Sequence, residues 1–135
     1  METCIFCKIA KKETPSYTIY EDSDFLAFLD INPRNKGHTL VIPKLHYRWV
    51  WDHPHIDKYY AVIGKIANSL RKTLHTDWIV SLVLGEEVHH AHVWLVPRFP
   101  NDGHGGSIDI KLIKKFSKEE MQETVEQIKE SLDSV

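Results

Sequence analysis

The chain predicts an α+β fold with a mainly antiparallel sheet, one long helix and a C-terminal helix. Three observations carry that expectation. Short runs of β-branched and aromatic residues are separated by turn residues, one long stretch switches to spacings of three and four, and the last segment opens on a helix-start signal. Residues 16–20 alternate and are aromatic-rich, and residues 25–29 form a short apolar run, so both read as strands joined by Glu21-Asp22-Ser23-Asp24. The cluster Asn32-Pro33-Arg34-Asn35-Lys36-Gly37 reads as a turn, and residues 38–43 as a third strand. Across residues 55–74, Ile56, Tyr59, Tyr60, Ile63, Ile66, Ala67, Leu70 and Leu74 form one amphipathic stripe, which predicts a helix. Residues 79–84 read as a buried strand, Gly85-Glu86-Glu87 as a turn, and residues 88–96 as a further strand. Residues 100–107, rich in Gly and Asp, form a loop in which His104 could cap a pocket. Ser117 and Glu120 make a capping box, with Phe116 and Met121 as a hydrophobic staple, and Met121, Val125, Ile128 and Leu132 complete the last stripe.

Composition narrows the function classes. The 135 residues suit one domain, residues 1–135, with no repeat or linker. With 42% hydrophobic and 27% charged residues, wholesale disorder is excluded. No apolar run approaches the ~20 residues of a membrane helix, so no membrane partner is expected. Met1-Glu2-Thr3-Cys4, leading to Lys8, Lys11 and Lys12, lacks a signal-peptide pattern, which predicts a cytoplasmic protein. Seventeen basic against nineteen acidic residues argue against a general nucleic-acid binder.

Nine histidines and a lone Cys-x-x-Cys, Cys4 and Cys7, remain to be explained. In a reducing compartment the cysteines suggest a metal or redox site, with two free thiols as the bland alternative. Along the strand predicted over residues 88–96, period-two alternation puts His90, His92 and Trp94 on one face, ~6.6 Å apart, and Ala91, Val93 and Leu95 on the other. The Gly85 turn beside them would let backbone N–H groups approach an anion. His53, His55, His75 and His89 read as surface or turn residues, and His38 has no distinct role.

The chain resembles the histidine triad (HIT) family over most of its length. Cys4-Ile5-Phe6-Cys7-Lys8-Ile9 resembles the family's metal-binding segment. Phe25–Leu29 continuing into Asp30-Ile31-Asn32-Pro33, and Gly37-His38-Thr39-Leu40-Val41-Ile42-Pro43-Lys44-Leu45-His46, resemble its central strands. His90-Ala91-His92-Val93-Trp94-Leu95-Val96-Pro97-Arg98 resembles its signature. The resemblance implies a HIT-like homodimer that binds a purine nucleotide or nucleotide conjugate. It implies hydrolysis or transfer at the α-phosphate, with His92 as the nucleophile. It further implies structural zinc on Cys4, Cys7, His46 and His90, a ribose-binding Asp30, and a base pocket of Phe6, Ile9 and Ile31. Gly85 and Trp94 would face the phosphate.

Three departures from the family pattern stand out. Trp94 occupies the third histidine's place. Glu86-Glu87 replaces a polar Gly-Gln-Ser/Thr stretch, and the asparagine common in the loop before the signature has no counterpart. An indole donates one hydrogen bond and accepts none. These departures favour a nucleotide-binding or regulatory protein of little turnover, the alternative reading, whereas the intact His90-x-His92, Asp30 and the strand context favour the leading expectation, an active nucleotidyl hydrolase or transferase. A redox protein working through Cys4 and Cys7 is the remote third.

Overall fold

A computed structural model describes residues 3–133. All five residues of β2 (Phe25–Leu29) and of β3 (Thr39–Pro43) are buried, so these strands are covered on both faces. That explains why they read as continuous apolar runs rather than alternating ones. They sit at the centre of a five-stranded antiparallel sheet ordered β1-β2-β3-β5-β4, with β1 at Tyr17–Glu21, β4 at Ile79–Leu82 and β5 at Val93–Pro97. The β1–β2 turn is held by Asp22, whose Oδ1 accepts from the N–H groups of Asp24 and Phe25 at 2.8 and 2.7 Å.

One face of the sheet packs on the long helix α2 (Ile56–Leu74) and the C-terminal helix α3 (Lys118–Asp133). The buried Tyr59 hydroxyl donates to the Val41 carbonyl at 2.7 Å and fixes α2 on β3. Ser69 Oγ donates to the Ile128 carbonyl at 3.3 Å and ties α2 to α3. The capping box forms as expected. Ser117 Oγ accepts from Glu120 N–H at 3.1 Å, and Glu120 Oε1 accepts from Ser117 N–H at 2.8 Å. The other face carries a smaller cluster of Leu26, Phe28, Leu40, Ile42, Trp94 and Val96. It is covered by Phe6 and Ile9 of a short helix, α1 (Ile5–Ala10). No helix among the described residues is long and apolar enough to cross a membrane.

The structure corrects several expected boundaries. Helix α1 and a 3-10 turn at Val50–Asp52 were not expected, β1 starts and ends one residue later, and β4 stops at Leu82 rather than 84. The largest correction concerns the strand expected over residues 88–96, which begins only at Val93. Its partner β3 ends in Pro43, and the Pro43 carbonyl is taken by the imidazole of His90 instead of a backbone amide. The N–H of Ala91 turns to the Tyr47 carbonyl at 2.7 Å. Alternation survives where the ladder forms, with Val93 and Leu95 in the large core and Trp94 and Val96 in the small one.

Beyond β5, residues 98–117 contain no helix or strand, yet they are tightly tied. Arg98, 2% exposed by side chain, pairs with Asp102 at 2.8 Å and donates to the His104 and Gly105 carbonyls. Lys114 N–H reaches the Pro33 carbonyl at 2.7 Å, and Lys114 Nζ reaches Asn35 Oδ1 at 2.9 Å.

Candidate functional site

Cys4 caps α1 and Cys7 lies in its first turn, so the helix brings the two side chains to one end. His46 follows β3 and His90 precedes β5. Cys7 Sγ is 3.3 Å from His46 Nδ1 and 3.4 Å from His90 Nδ1, and Cys4 Sγ is 3.4 Å from His90 Nδ1. All four donor atoms lie within 4.8 Å of one another. Tetrahedral zinc with Zn–S ~2.3 Å and Zn–N ~2.0–2.1 Å gives sulfur–nitrogen edges of about 3.6 Å, so the cluster is compatible with zinc. The protonation pattern agrees. His90 Nε2 lies 2.8 Å from the Pro43 carbonyl, which can only accept, so the proton sits on Nε2 and Nδ1 keeps its lone pair for the cluster. Burial pushes the His90 pKa down to about 4, which keeps the ring neutral. Burial and the neighbouring Cys4 push the Cys7 thiol up to about 11, a penalty on the thiolate that a bound cation would offset.

His92 uses its ring the other way round. Its Nδ1 is 2.7 Å from the His90 carbonyl and therefore carries the proton, leaving the Nε2 lone pair free. Burial lowers its pKa against the opposing pull of that hydrogen bond and the Asp30 charge, and the Arg48 cation lowers it further. The Phe6 ring meets both imidazoles edge-on, 5.1 Å from His92 and 6.0 Å from His90.

His92 lines a cavity of about 640 Å³. The same cavity is lined by Phe6, Ile9, Asp30, Ile31, Gly85 and Trp94, so the geometry gathers every residue expected at the pocket. Asp30 Oδ1 accepts from Asn32 N–H at 2.8 Å, and its Oδ2 stands 3.7 Å from Arg34 and from His38. Burial outweighs these partners and raises its pKa. The Trp94 ring lies 4.5 Å from the fully buried His38 ring and 4.8 Å from the Arg34 guanidinium. His38 Nδ1 accepts from Arg34 N–H at 3.1 Å, and burial, then Arg34, lowers its pKa to about 3. Gly85 adopts φ +112°, and a Cβ there would sit 2.7 Å from the Trp49 ring, so no other residue fits this turn without displacement. Glu86 and Glu87 stand exposed at the rim.

Some cavity-lining residues carry no signal in the sequence. Arg34, Leu84, Ile110 and Ile113 also line the cavity. His104, whose loop could have capped it, does not line it. Its ring bridges the Arg34 carbonyl at 2.8 Å and the Asp109 N–H at 3.0 Å, and it is Ile110 and Ile113 farther along that reach the cavity.

Sheet, donor cluster and cavity together set two histidines just before β5, His90 in the cluster and His92 on the cavity wall. The chain belongs to the HIT domain family, whose model matches residues 11–101. It is 43% identical over 134 residues to an uncharacterized HIT-like protein of Borreliella burgdorferi, covering 90% of this chain and 96% of that one. It is 39% identical over 100 residues to an adenosine 5'-monophosphoramidase of Saccharomyces cerevisiae, covering 70% and 62% of the two chains. Among solved structures it is similar to a zinc-bound histidine triad family protein from Mycobacterium smegmatis. There the TM-score is 0.79 and the identity 31%, covering 98% and 95% of the chains.

Proposed function

We propose that this chain is a nucleotidyl hydrolase or transferase acting at the α-phosphate of a purine nucleotide conjugate, either a nucleoside phosphoramidate or a dinucleoside polyphosphate. The observation that carries the reading is His92: buried, with Nδ1 tied to the His90 carbonyl and Nε2 free beside the cavity. Nε2 attacks phosphorus, a P–N bond forms, and the bond from phosphorus to the leaving amine or oxygen breaks with protonation of the leaving group. Water then cleaves the nucleotidyl-histidine and returns the free imidazole and a nucleoside monophosphate. A ring kept neutral by burial is the nucleophilic form. Asp30 accepts from the ribose hydroxyls, Phe6, Ile9 and Ile31 enclose the base, and Gly85 lets the backbone approach the phosphate. Cys4, Cys7, His46 and His90 would hold a structural zinc, which cross-links α1 to the segment before β5.

A second reading, a nucleotide-binding protein with little turnover, is favoured by Trp94. We take it to stand in place of the third signature histidine, where an indole can neither accept a proton nor carry charge. Reduced cysteines suit a cytoplasmic setting for either reading. The deciding experiment is intact mass spectrometry after mixing with an adenosine phosphoramidate. A nucleotidyl adduct is expected on the unmodified chain and not on His92→Ala. Equal turnover by both would refute the covalent mechanism, and binding without any adduct would establish the second reading.

A further inference from the structure

The reading above assigns no cation to the phosphate, and one cation close to the Gly85 turn is left without a task. Arg48 follows the candidate ligand His46 by two residues. Its guanidinium stacks 3.8 Å from the centre of the Trp49 ring. That ring packs on the bare face of Gly85, and Arg48 Nη1 lies 3.4 Å from where a Gly85 Cβ would stand. Nη1 is buried and has no hydrogen-bond partner among the described residues. No ion pair joins Arg48 to Glu86 or Glu87, although both follow Gly85 directly. A buried guanidinium nitrogen without a protein acceptor is costly and is free to serve an anion brought by a ligand.

We propose that Arg48 is a positioning residue for the nucleotide phosphate, held by Trp49 behind the Gly85 turn so that its positive charge faces the position between that turn and His92. The inference rests on the nucleotide reading of the cavity. Glycine at 85 is what permits the close approach, since a side chain there would collide with Trp49 and meet Arg48. The cation also offsets the two rim carboxylates. Glu86 and Glu87 would otherwise make this end of the cavity repel an anion, so one phosphate is accepted where an uncompensated acidic turn would refuse it. Arg48 does not line the cavity, so it acts through its field and through the Gly85 backbone rather than by direct contact.

The test separates charge from packing by comparing a charged ligand with a neutral one. Binding of AMP and of adenosine is measured by calorimetry for the unmodified chain, Arg48→Met and Arg48→Lys. The unmodified chain should prefer AMP. Arg48→Met, which keeps the bulk over Trp49, should lose about tenfold in AMP affinity while adenosine stays within about twofold. Arg48→Lys should keep part of the preference. A purely structural role would weaken both ligands together, and that result overturns the proposal, as does an unchanged AMP affinity. If Arg48→Met fails to fold by circular dichroism, Arg48→Gln against Arg48→Lys supplies the same comparison. An unmodified chain that binds neither ligand overturns the nucleotide reading itself, and this inference falls with it.

Discussion

The loop between β5 and α3 owes its shape to one carboxylate, so Asp102→Asn is the informative perturbation there. Asp102 Oδ2 accepts from Arg98 Nε at 2.8 Å, Asn35 Nδ2 at 2.9 Å and Phe99 N–H at 3.0 Å. Its Oδ1 accepts from Arg98 Nη2 at 3.2 Å and His104 N–H at 3.1 Å. An amide keeps one acceptor and turns its NH₂ towards donors, while Arg98 stays buried without its counter-charge. Removing one partner of a buried pair costs ~3–5 kcal/mol. Against a domain stability of ~5–15 kcal/mol that is a large share, and at ~3–4 °C per kcal/mol for this length Tm should fall by about 10–20 °C. Arg98 and its neighbouring donors hold the Asp102 carboxyl well below the usual carboxylate range. A depressed folded pKa contributes stability above the unfolded value of ~3.9 and loses it as pH falls below that value. The Tm gap between the two proteins, read by calorimetry, should therefore be full at pH 7 and narrow steadily below about pH 4. Ile110 and Ile113 belong to the same loop, so adenosine affinity should drop as well. A Tm change under about 2 °C at pH 7, or a gap that widens in acid, would refute the reasoning.

Cys7→Ser should reduce bound zinc from one per chain to a trace by elemental analysis and lower Tm, because the cluster ties α1 to residues on two other segments. Trp94→His should raise the rate of nucleotidyl transfer to His92, measured by stopped-flow or quench, by ~10²–10⁴-fold if the indole is what limits proton transfer. Light scattering at micromolar concentration should report a homodimer formed through α2 and the β4 sheet edge, burying well over ~1,000 Å², and a monomer would contradict it.

Much of the site was legible only through the resemblance of short motifs to the family, since His46, Asp30, Phe6, Ile9 and Ile31 carry no local signal of their own. The Cys-x-x-Cys and the alternating histidines carry their own residue signals, and the turns around β2 and β3 were plain from their residues. The missing parts depend on contacts between segments far apart in sequence. Helix α1 is six residues long and has no periodicity to detect. The start of β5 is set by the His90 imidazole capturing the Pro43 carbonyl, a side-chain event 47 residues away in sequence. Arg34 and Ile110 line the cavity from segments far apart in sequence, joined by the Arg34 Nε bond to the Ile110 carbonyl at 2.8 Å, and no local pattern announces that bond. The tight form of the Gly-rich loop around His104 was hidden for the same reason, since it is stitched by Arg98 and Asp102.

The brevity of α1 bears on the order in which the protein comes together. A helix this short does not persist alone in water. It exists only while Phe6 and Ile9 rest on the sheet and Cys4 and Cys7 meet His90, 86 and 83 positions later. During synthesis this segment waits as loose chain until β5 has emerged and paired with β3, so the thiol cluster forms only after the centre of the sheet. In the finished molecule the same dependence makes α1 a natural first point of fraying. Brief detachment of this one turn and a half of helix would uncover the His92 side of the cavity, where Phe6 lies against the His92 ring, without disturbing the sheet.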